Sequence, residues 1–274
     1  MFVASGEVFT DALSGAPIAA RDRAPVLLVR HDQIPSTVRE AMVRLKPLSI
    51  VVLGGDRTIS PGVYADLATL TSGSTTRWSG PDRYAASAAI SAVSFTPGVE
   101  RAYLASGTAF PDALSGAPAA GASPGPILLT APDALPAAIA RELTRLAPKE
   151  IVVLGGSATI SAAVEQAAAA FTTGSVVRWS GADRFETSAA ISRAAFPDGS
   201  GTAFVSSGRV FADALSGAPV AGARRAPTLL VESESIPAPI AAELRRLHPQ
   251  TIVVVGGRAS VSDDVFGELS DYLG

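Results

Sequence analysis

The sequence contains no cysteine and only two histidines among its 274 residues. Without cysteine the chain cannot form a disulfide, a thiolate nucleophile or a cysteine-ligated zinc or iron–sulfur site. The histidines, His31 and His248, occupy different positions in the internal repeat described below, so no Ser-His-Asp triad can recur with that repeat. These absences exclude thiolate catalysis and a repeated triad; on the whole sequence we expect no catalytic residues, no metal site, no cofactor and no enzyme.

Long apolar runs and an excess of basic charge are also lacking. No apolar run reaches the roughly 18 residues that a membrane-spanning helix needs, and Met1-Phe2-Val3 does not begin a signal peptide. The net charge of −3 disfavours general attraction to nucleic acid or an anionic membrane. Lysine is scarce too, with 20 arginines against Lys46 and Lys149. This bias reflects either a GC-rich genome or the binding of carboxylate or phosphate groups by arginine.

One segment that is present organises the whole chain, because it occurs three times. The sequence Ser-Gly-x-x-Phe-x-Asp-Ala-Leu-Ser-Gly-Ala-Pro covers residues 5–17, 106–118 and 207–219. Its aspartates, Asp11, Asp112 and Asp213, are 101 residues apart each time. Hydrophobic residues make up 47% of the chain, which is typical of a folded protein. The sequence therefore predicts three compact modules, each long enough to bury a core.

Within a module, short apolar runs alternate with helical patterns. In the second module the pattern predicts strands at residues 127–130 and 151–154 and an amphipathic helix over 136–146. The small-residue stretch 110–121 predicts another helix, with Asp112 at its N-cap or in its first turn. Pro118 must then lie in the first turn or kink this helix. Alternating strands and helices predict an α/β fold of Rossmann-like modules with mainly parallel sheets.

The module ends are marked by a second motif, Trp-Ser-Gly-x-Asp-Arg, which covers residues 78–83 and 179–184. A third copy is absent from the chain. We therefore expect module one (residues 1–75) to lack its first strand and helix, whereas module two (76–175) and module three (176–274) are complete. On this reading the sequence is part of a longer protein.

Several recurring residues could carry chemistry, and each also has a structural explanation. Ser5, Ser106 and Ser207 follow strands but lack a Gly-x-Ser-x-Gly elbow. The recurring aspartates could form a glycosidase pair if they lay roughly 5–10 Å apart, but aspartate is also a common helix cap. The turns at residues 54–55, 155–156 and 256–257 are Gly-Gly, which is a weak phosphate-binding signal and a common tight turn.

Two arginines are the more specific candidates for binding. Arg83 and Arg184 end the second motif and are flanked by aromatic residues, among them Trp78 and Trp179. Either they form salt bridges, for example from Arg184 to Asp213, or they bind a sugar or anionic polymer whose rings pack on the aromatic faces. A further recurring set lies near helix C-termini, where a cation is favourable without any ligand: Arg44, Arg145 and Arg246.

These motifs together resemble the cell wall binding repeat 2 family of Gram-positive surface proteins. The resemblance rests on the Asp-Ala-Leu-Ser-Gly-Ala-Pro element, the Pro-x-Leu-Leu strand after it, the Val-Val-(Leu/Val)-Gly-Gly strand and the Trp-Ser-Gly-x-Asp-Arg element. It spans essentially the whole chain. It implies three Rossmann-like or Toprim-like units in pseudo-threefold packing, a location outside the cell on the wall, and binding of an anionic wall polymer.

The resemblance also implies which residues bind. It points to the arginines at the module interfaces and to the Pro-x-Leu-Leu strands, whose residues are Pro25, Leu27, Leu28, Pro126, Leu128, Leu129, Pro227, Leu229 and Leu230. We thus expect a non-covalent wall anchor with no nucleic acid partner. The alternatives are a hydrolase acting on wall glycan or peptide, and a self-association module of a surface layer.

Overall fold

The computed structural model describes residues 1–274, and every paired strand in it is parallel. This confirms the α/β class that the alternating pattern predicted. Most strands are short apolar runs that become buried in the middle of a unit. The strands are β1 (Phe2–Ser5), β2 (Val26–Val29), β3 (Ile50–Leu53), β4 (Thr75–Trp78), β5 (Arg101–Ser106), β6 (Ile127–Thr130), β7 (Glu150–Leu154), β8 (Ser175–Trp179), β9 (Thr202–Ser207), β10 (Thr228–Val231) and β11 (Thr251–Val255).

Eleven α-helices alternate with these strands, one after each. None of them combines the length and the hydrophobicity that crossing a bilayer requires. The helices are α1 (Thr10–Arg21), α2 (Ser36–Leu45), α3 (Pro61–Ala68), α4 (Arg83–Ala92), α5 (Pro111–Ala122), α6 (Ala137–Leu146), α7 (Ala162–Ala168), α8 (Arg184–Ala195), α9 (Phe211–Ala223), α10 (Ala238–Leu247) and α11 (Asp263–Glu268).

The strands form three sheets, one for each unit. The strand orders are β2-β1-β3-β4, β6-β5-β7-β8 and β10-β9-β11. Strand β4 is therefore part of the first sheet, where Thr75 pairs with Ile50 and Trp78 with Leu53. The predicted boundaries after residues 75 and 175 cut β4 and β8 after their first residue, so most of each strand is separated from the sheet to which it bonds.

The expectation that module one lacks a strand is wrong for the same reason. The first sheet has four strands, and the three-stranded sheet is the third. A strand that follows its crossover helix pairs with the edge of the sheet it has just left. Each helix that follows such a strand packs on the next unit: α4 packs on β6 and α6 of the second unit, and α8 packs on β10 and α10 of the third. The element that the first unit does lack is the equivalent helix packed on β2 and α2.

Three central helices, α1, α5 and α9, pack against one another and join the units. They meet at equivalent small residues, Ala20, Gly121 and Gly222. A methyl group built on Gly121 would lie 2.7 Å from the Ala20 Cβ and 3.1 Å from the Gly222 Cα. Such close approach requires small residues at all three positions. This arrangement confirms the pseudo-threefold packing.

The helices continue through their prolines. Pro118 lies in the interior of α5, and Pro17 and Pro219 lie at the equivalent positions of α1 and α9. Of the two alternatives predicted for Pro118, a place in the first turn is therefore wrong. Its ring removes one backbone donor, but the tight packing of the central helices holds these segments helical.

Candidate functional site

The strand order creates one crevice in each unit where a ligand can bind. In a parallel sheet with the order 2-1-3-4, the connections from the first and third strands leave in opposite directions. The crevice lies at the carboxyl ends of those two strands. In the first unit these ends carry Ser5-Gly6 after β1 and Gly54-Gly55 after β3.

The recurring aspartate lies in this crevice. Asp11 is in the first turn of α1, and its carboxylate reaches the Gly-Gly turn. Gly54 has a φ of +110°, and a Cβ there would lie 2.5 Å from Asp11 Oδ2 and 2.4 Å from Thr58 Oγ1. Glycine is thus required both by the backbone conformation and by the approach of the two side chains. The Gly-Gly turn therefore serves to seat the aspartate.

The other units repeat this cluster. Thr159 donates a hydrogen bond to Asp112 Oδ2 at 3.3 Å, and Ser260 donates one to Asp213 Oδ2 at 2.8 Å. The prediction that Asp112 lies at the start of a helix is confirmed, since it is in the first turn of α5. Its carboxylate accepts no backbone amide, however, and binds the threonine hydroxyl instead. The role of a simple cap is therefore wrong for this set.

Burial raises the pKa of Asp11 above the ordinary aspartate value, although Arg83 and then the hydroxyl of Thr58 act in the opposite direction. Burial also raises the pKa of Asp112, against the smaller lowering effects of Thr159 and Arg184. A carboxyl group in an apolar setting holds its proton more tightly because its charged form loses hydration. The positive charge of one arginine thus acts on each aspartate: Arg83, the first residue of α4, on Asp11, and Arg184, the first residue of α8, on Asp112.

Those two arginines are presented by well-defined helix starts. Asp82 accepts the amides of Tyr84 and Ala85, and Asp183 accepts those of the equivalent residues in α8. This capping by the aspartates of the second motif is as expected. The next residue in each case, Arg83 or Arg184, begins the helix at the interface between two units.

Each arginine is held by a single backbone carbonyl of the following unit. Arg83 Nη1 donates to the oxygen of Gly107 at 2.5 Å, and Arg184 Nη1 donates to the oxygen of Gly208 at 2.6 Å. Neither forms an ion pair. The alternative of a salt bridge from Arg184 to Asp213 is therefore wrong. Arg83 is exposed and Arg184 is half-buried, so most of their donors remain free.

A cavity of about 360 Å³ opens beside the first of these arginines. Asp11 and Thr58 line it from the first unit, together with Arg57, whose Nη2 donates to the Pro81 oxygen at 2.7 Å. Arg83 lines it from the helix that belongs to the second unit. The cavity thus combines two guanidinium groups with a buried carboxyl, which suits a ligand bearing both acidic and hydroxyl groups.

The neighbouring arginines Arg77 and Arg178 are structural by contrast. Arg77 Nη1 donates to the carbonyls of Gly54 and Ile59, and Arg178 Nη1 donates to that of Gly155 while its Nε and Nη2 donate to Glu165. One bond of each arginine thus holds the first glycine of a Gly-Gly turn, and the others tie it to the same unit.

The arginines near helix C-termini also have structural partners in two units. Arg145 binds Glu142, and Arg246 binds Glu243, at 2.6–2.9 Å. Each glutamate is buried and also accepts a serine hydroxyl from α4 or α8. Arg44 has no such partner, because Ala41 stands where the glutamate lies in the other units. Each such Arg–Glu–Ser cluster, here called a clamp, holds α4 or α8 on the unit that follows it in the chain; we call α4 and α8 the transferred helices.

The two tryptophans are half-buried beside the sheets. Trp78 packs edge-on to Phe2 with ring centroids 5.8 Å apart, and Trp179 packs edge-on to Tyr103 at 6.0 Å. Arg101 lies 5.7 Å from the Trp179 ring centroid. Both indoles are thus partly occupied by contacts within the protein.

The Pro-x-Leu-Leu residues divide sharply between units. In the second and third units they are buried, and the leucines have no exposed surface, so they are core residues that do not contact a polymer directly. In the first unit the proline is exposed and both leucines are half-buried. The buried set is Pro126, Leu128, Leu129, Pro227, Leu229 and Leu230; the accessible set is Pro25, Leu27 and Leu28.

One feature was missed from the sequence. Phe9, Phe110 and Phe211 form a triangle on the pseudo-threefold axis, with ring centroids 5.7–5.9 Å apart. The 101-residue spacing of these phenylalanines was available as a signal. No three histidine, aspartate or glutamate side chains cluster in a way that could hold a metal ion.

Comparisons with known proteins agree with this architecture. The family profile described as Cell wall binding domain 2 (CWB2) matches residues 1–64, 77–165 and 178–266. Among solved structures, Cwp6 from Clostridium difficile superposes with a TM-score of 0.92 at 25% identity over 100% of this chain and 43% of that one. Cwp8 from the same organism gives a TM-score of 0.87 at 22% identity over 100% of this chain and 47% of that one, which shows the fold.

Two curated relatives come from Bacillus subtilis. An amidase enhancer is 30% identical over 97% of this chain and 36% of its own length. The N-acetylmuramoyl-L-alanine amidase LytC is 26% identical over 98% of this chain and 52% of its own length. The chain thus spans about a third to a half of the length of these relatives.

Proposed function

Since the chain belongs to the Cell wall binding domain 2 family, we propose that it anchors its protein non-covalently to a Gram-positive cell wall by binding an anionic wall polymer. The family establishes a cell wall binding domain at a bacterial surface. The chemistry of the ligand and the residues that hold it are the further step, and the unit interfaces support it.

The observation that carries the proposal is the state of Arg83 and Arg184. Each guanidinium is bound by one carbonyl, forms no ion pair and lies at a unit interface, where its remaining donors make no hydrogen bond within the protein. Unpaired arginine is suited to bidentate recognition of carboxylate or phosphate. Arg178, by contrast, uses its Nε, Nη1 and Nη2 donors in hydrogen bonds within the protein.

Repetition supports a polymer rather than a small ligand. The two arginine sites are related by the 101-residue period, and a wall polymer repeats its acidic groups along its length. Several weak contacts to one chain then combine into lasting retention through effective concentration. A single catalytic site would not need such copies.

The experiment is a sedimentation assay on purified Gram-positive walls before and after extraction of their anionic polymers. The double variant Arg83→Ala with Arg184→Ala is expected to lose at least about tenfold in wall affinity, since each charged contact contributes on the order of 1 kcal/mol or more. A matched control is Arg44→Ala with Arg141→Ala, which removes the same charge from two exposed arginines without partners.

The outcomes separate the alternatives. Equal loss in both double variants would mean that net charge alone decides retention, and unchanged binding of the folded Arg83/Arg184 variant would refute the arginine assignment. Binding that survives extraction would move the target to peptidoglycan.

We further propose that the chain supplies wall binding to a longer protein, as its partial coverage of an amidase and an amidase enhancer suits. Incubation of purified wall with the chain is then expected to release neither amino groups nor reducing sugar. Release that is abolished by Asp112→Asn would instead establish the hydrolase alternative.

A further inference from the structure

One face of the first unit is uncovered although its equivalents in the other units are not. Helix α4 covers β6 and α6 of the second unit, and α8 covers β10 and α10 of the third. The equivalent elements of the first unit are β2 and α2. No helix of the chain lies over them in the same way.

Apolar side chains on this face are exposed where their equivalents are buried. Leu45 on α2 is 48% exposed, whereas its equivalents Leu146 and Leu247 are 0% and 4% exposed. On the facing central helix, Val220 is 44% exposed, whereas its equivalent Ala119 is 1% exposed. The first and third units therefore present apolar surface from both sides of one groove.

The turn after β1 shows what the groove lacks. A Cβ on Gly107 would lie 2.6 Å from the Tyr84 ring, and one on Gly208 would lie 2.8 Å from the Phe185 ring. The equivalent Gly6 would meet only Leu28 and the Val29 carbonyl. An aromatic ring therefore covers this turn in the second and third units, and no ring covers it in the first.

Backbone groups of the groove also lack their side-chain partners. Ser87 Oγ accepts the Leu129 amide at 3.0 Å, and Ser188 Oγ accepts the Leu230 amide at 3.1 Å. No side chain accepts the equivalent amide, that of Leu28.

The arginine of the pattern is missing as well. Arg83 and Arg184 bind the carbonyls of Gly107 and Gly208, but no arginine binds that of Gly6. In the same way Asp213 has no arginine equivalent to those beside Asp11 and Asp112. The missing groups are therefore an arginine, an aromatic ring and a serine in a fixed spacing.

We propose that the uncovered face of the first unit binds an amphipathic helix with the sequence pattern of α4 and α8. This helix-binding face is formed by Gly6, Leu28, Ala41, Leu45 and Val220. The shared pattern is Arg-(Tyr/Phe)-x-x-Ser-Ala-Ala-Ile-Ser, at residues 83–91 and 184–192. The occupant comes from outside residues 1–274. Its binding would place a third arginine beside Asp213 and complete the pseudo-threefold set of interfaces.

One difference between the units gives the proposal a sharp internal test. The last serine of the pattern bonds to Glu142 or Glu243, each at 2.6 Å. The first unit has Ala41 at that position and offers no carboxylate. The middle serine should therefore contribute to binding at this face, and the last serine should not.

The test uses a labelled peptide of residues 182–195, titrated with the 274-residue chain by fluorescence anisotropy. We expect Ser188→Ala in the peptide to weaken binding about fivefold, in line with the loss of one hydrogen bond. We expect Ser192→Ala to leave it unchanged. Equal effects of the two substitutions, or binding that does not depend on either, would overturn the proposed register.

Protein variants locate the peptide on the face. Leu45→Asp and Val220→Asp are expected to weaken binding more than tenfold, because each places a charge in the buried contact. Val43→Asp is the control, since Val43 is 59% exposed and its equivalents Thr144 and Arg245 are not buried by the transferred helices. Binding that is insensitive to Leu45→Asp and Val220→Asp would place the peptide elsewhere.

Isolated short helices form poorly in water, so a joined chain gives a second measurement. Residues 182–202 placed directly before Met1 keep the period, because Ala203 is the equivalent of Met1. Hydrogen exchange of the Leu28 amide is expected to slow at least tenfold in this chain.

Absence of both peptide binding and exchange protection would overturn the proposal. So would a dimer of the 274-residue chain that Leu45→Asp dissociates and the peptide does not, because a second copy would then be the occupant.

Discussion

Replacement of Glu243 by alanine tests how the transferred helix α8 is held. Glu243 lies on α10 and is 1% exposed. It accepts Ser192 Oγ from α8 at 2.6 Å and two donors of Arg246 at 2.8 and 2.9 Å. Alanine is the residue that the first unit carries at the equivalent position, Ala41, and no transferred helix packs on that unit.

The expected loss follows from what each partner retains. Removing one member of a buried ion pair costs about 3–5 kcal/mol when the other charge stays buried. Arg246 has a side chain 30% exposed, and it keeps hydrogen bonds to the Phe196 and Pro197 carbonyls. Ser192 is left buried without an acceptor, which costs about 1–3 kcal/mol. We therefore expect Glu243→Ala to lower the free energy of unfolding by about 2–4 kcal/mol.

Urea unfolding at fixed pH and salt measures this change, with Glu100→Ala as the control. Glu100 pairs with Lys149 at 2.6 Å, but both side chains are mostly exposed, so that variant should lose less than about 1 kcal/mol. The Ser192→Ala, Glu243→Ala double-mutant cycle should show a coupling of at least about 1 kcal/mol. Equal losses for the two glutamate variants, or no coupling to Ser192, would refute the clamp.

Two further predictions concern the axis and the crevice. Gly121→Ala should lower the free energy of unfolding by about 1–3 kcal/mol, because its methyl group meets neighbouring backbone at the axis. Gly267→Ala, with no atom within 4 Å of the new methyl group, should raise it by up to about 1 kcal/mol; an equal gain in both variants would contradict close packing at the axis. Burial raises the pKa of Asp112, so its stabilising effect is present below the ordinary value of 3.8 and is lost as the pH rises through the folded-state pKa. Asp112→Asn should therefore gain stability relative to the natural chain as the pH rises above 3.8 in urea unfolding, and a difference that is constant with pH would contradict this.

Local features were determined by the sequence alone. The buried parallel strands, the alternation of strands with helices and the caps at Asp82 and Asp183 follow from apolar runs and residue types within a few positions. The 101-residue period required three equivalent units, and the motifs were sufficient to indicate the family. All of these depend on contacts between neighbours in the chain or on direct repetition.

Only the tertiary structure decided which unit each element joins. Strand β4 hydrogen-bonds to the sheet before it, while α4 packs on the unit after it, so the motif of residues 78–83 spans a boundary that composition cannot show. The same transfer buries Leu129 completely and leaves Leu28 half-exposed, although both stand in the same short motif. Burial depends on what lies across the interface, and identical local sequences carry no record of that. Asp112 likewise meets Thr159 rather than a helix amide, because its partner is 47 residues away in sequence and adjacent only in the fold.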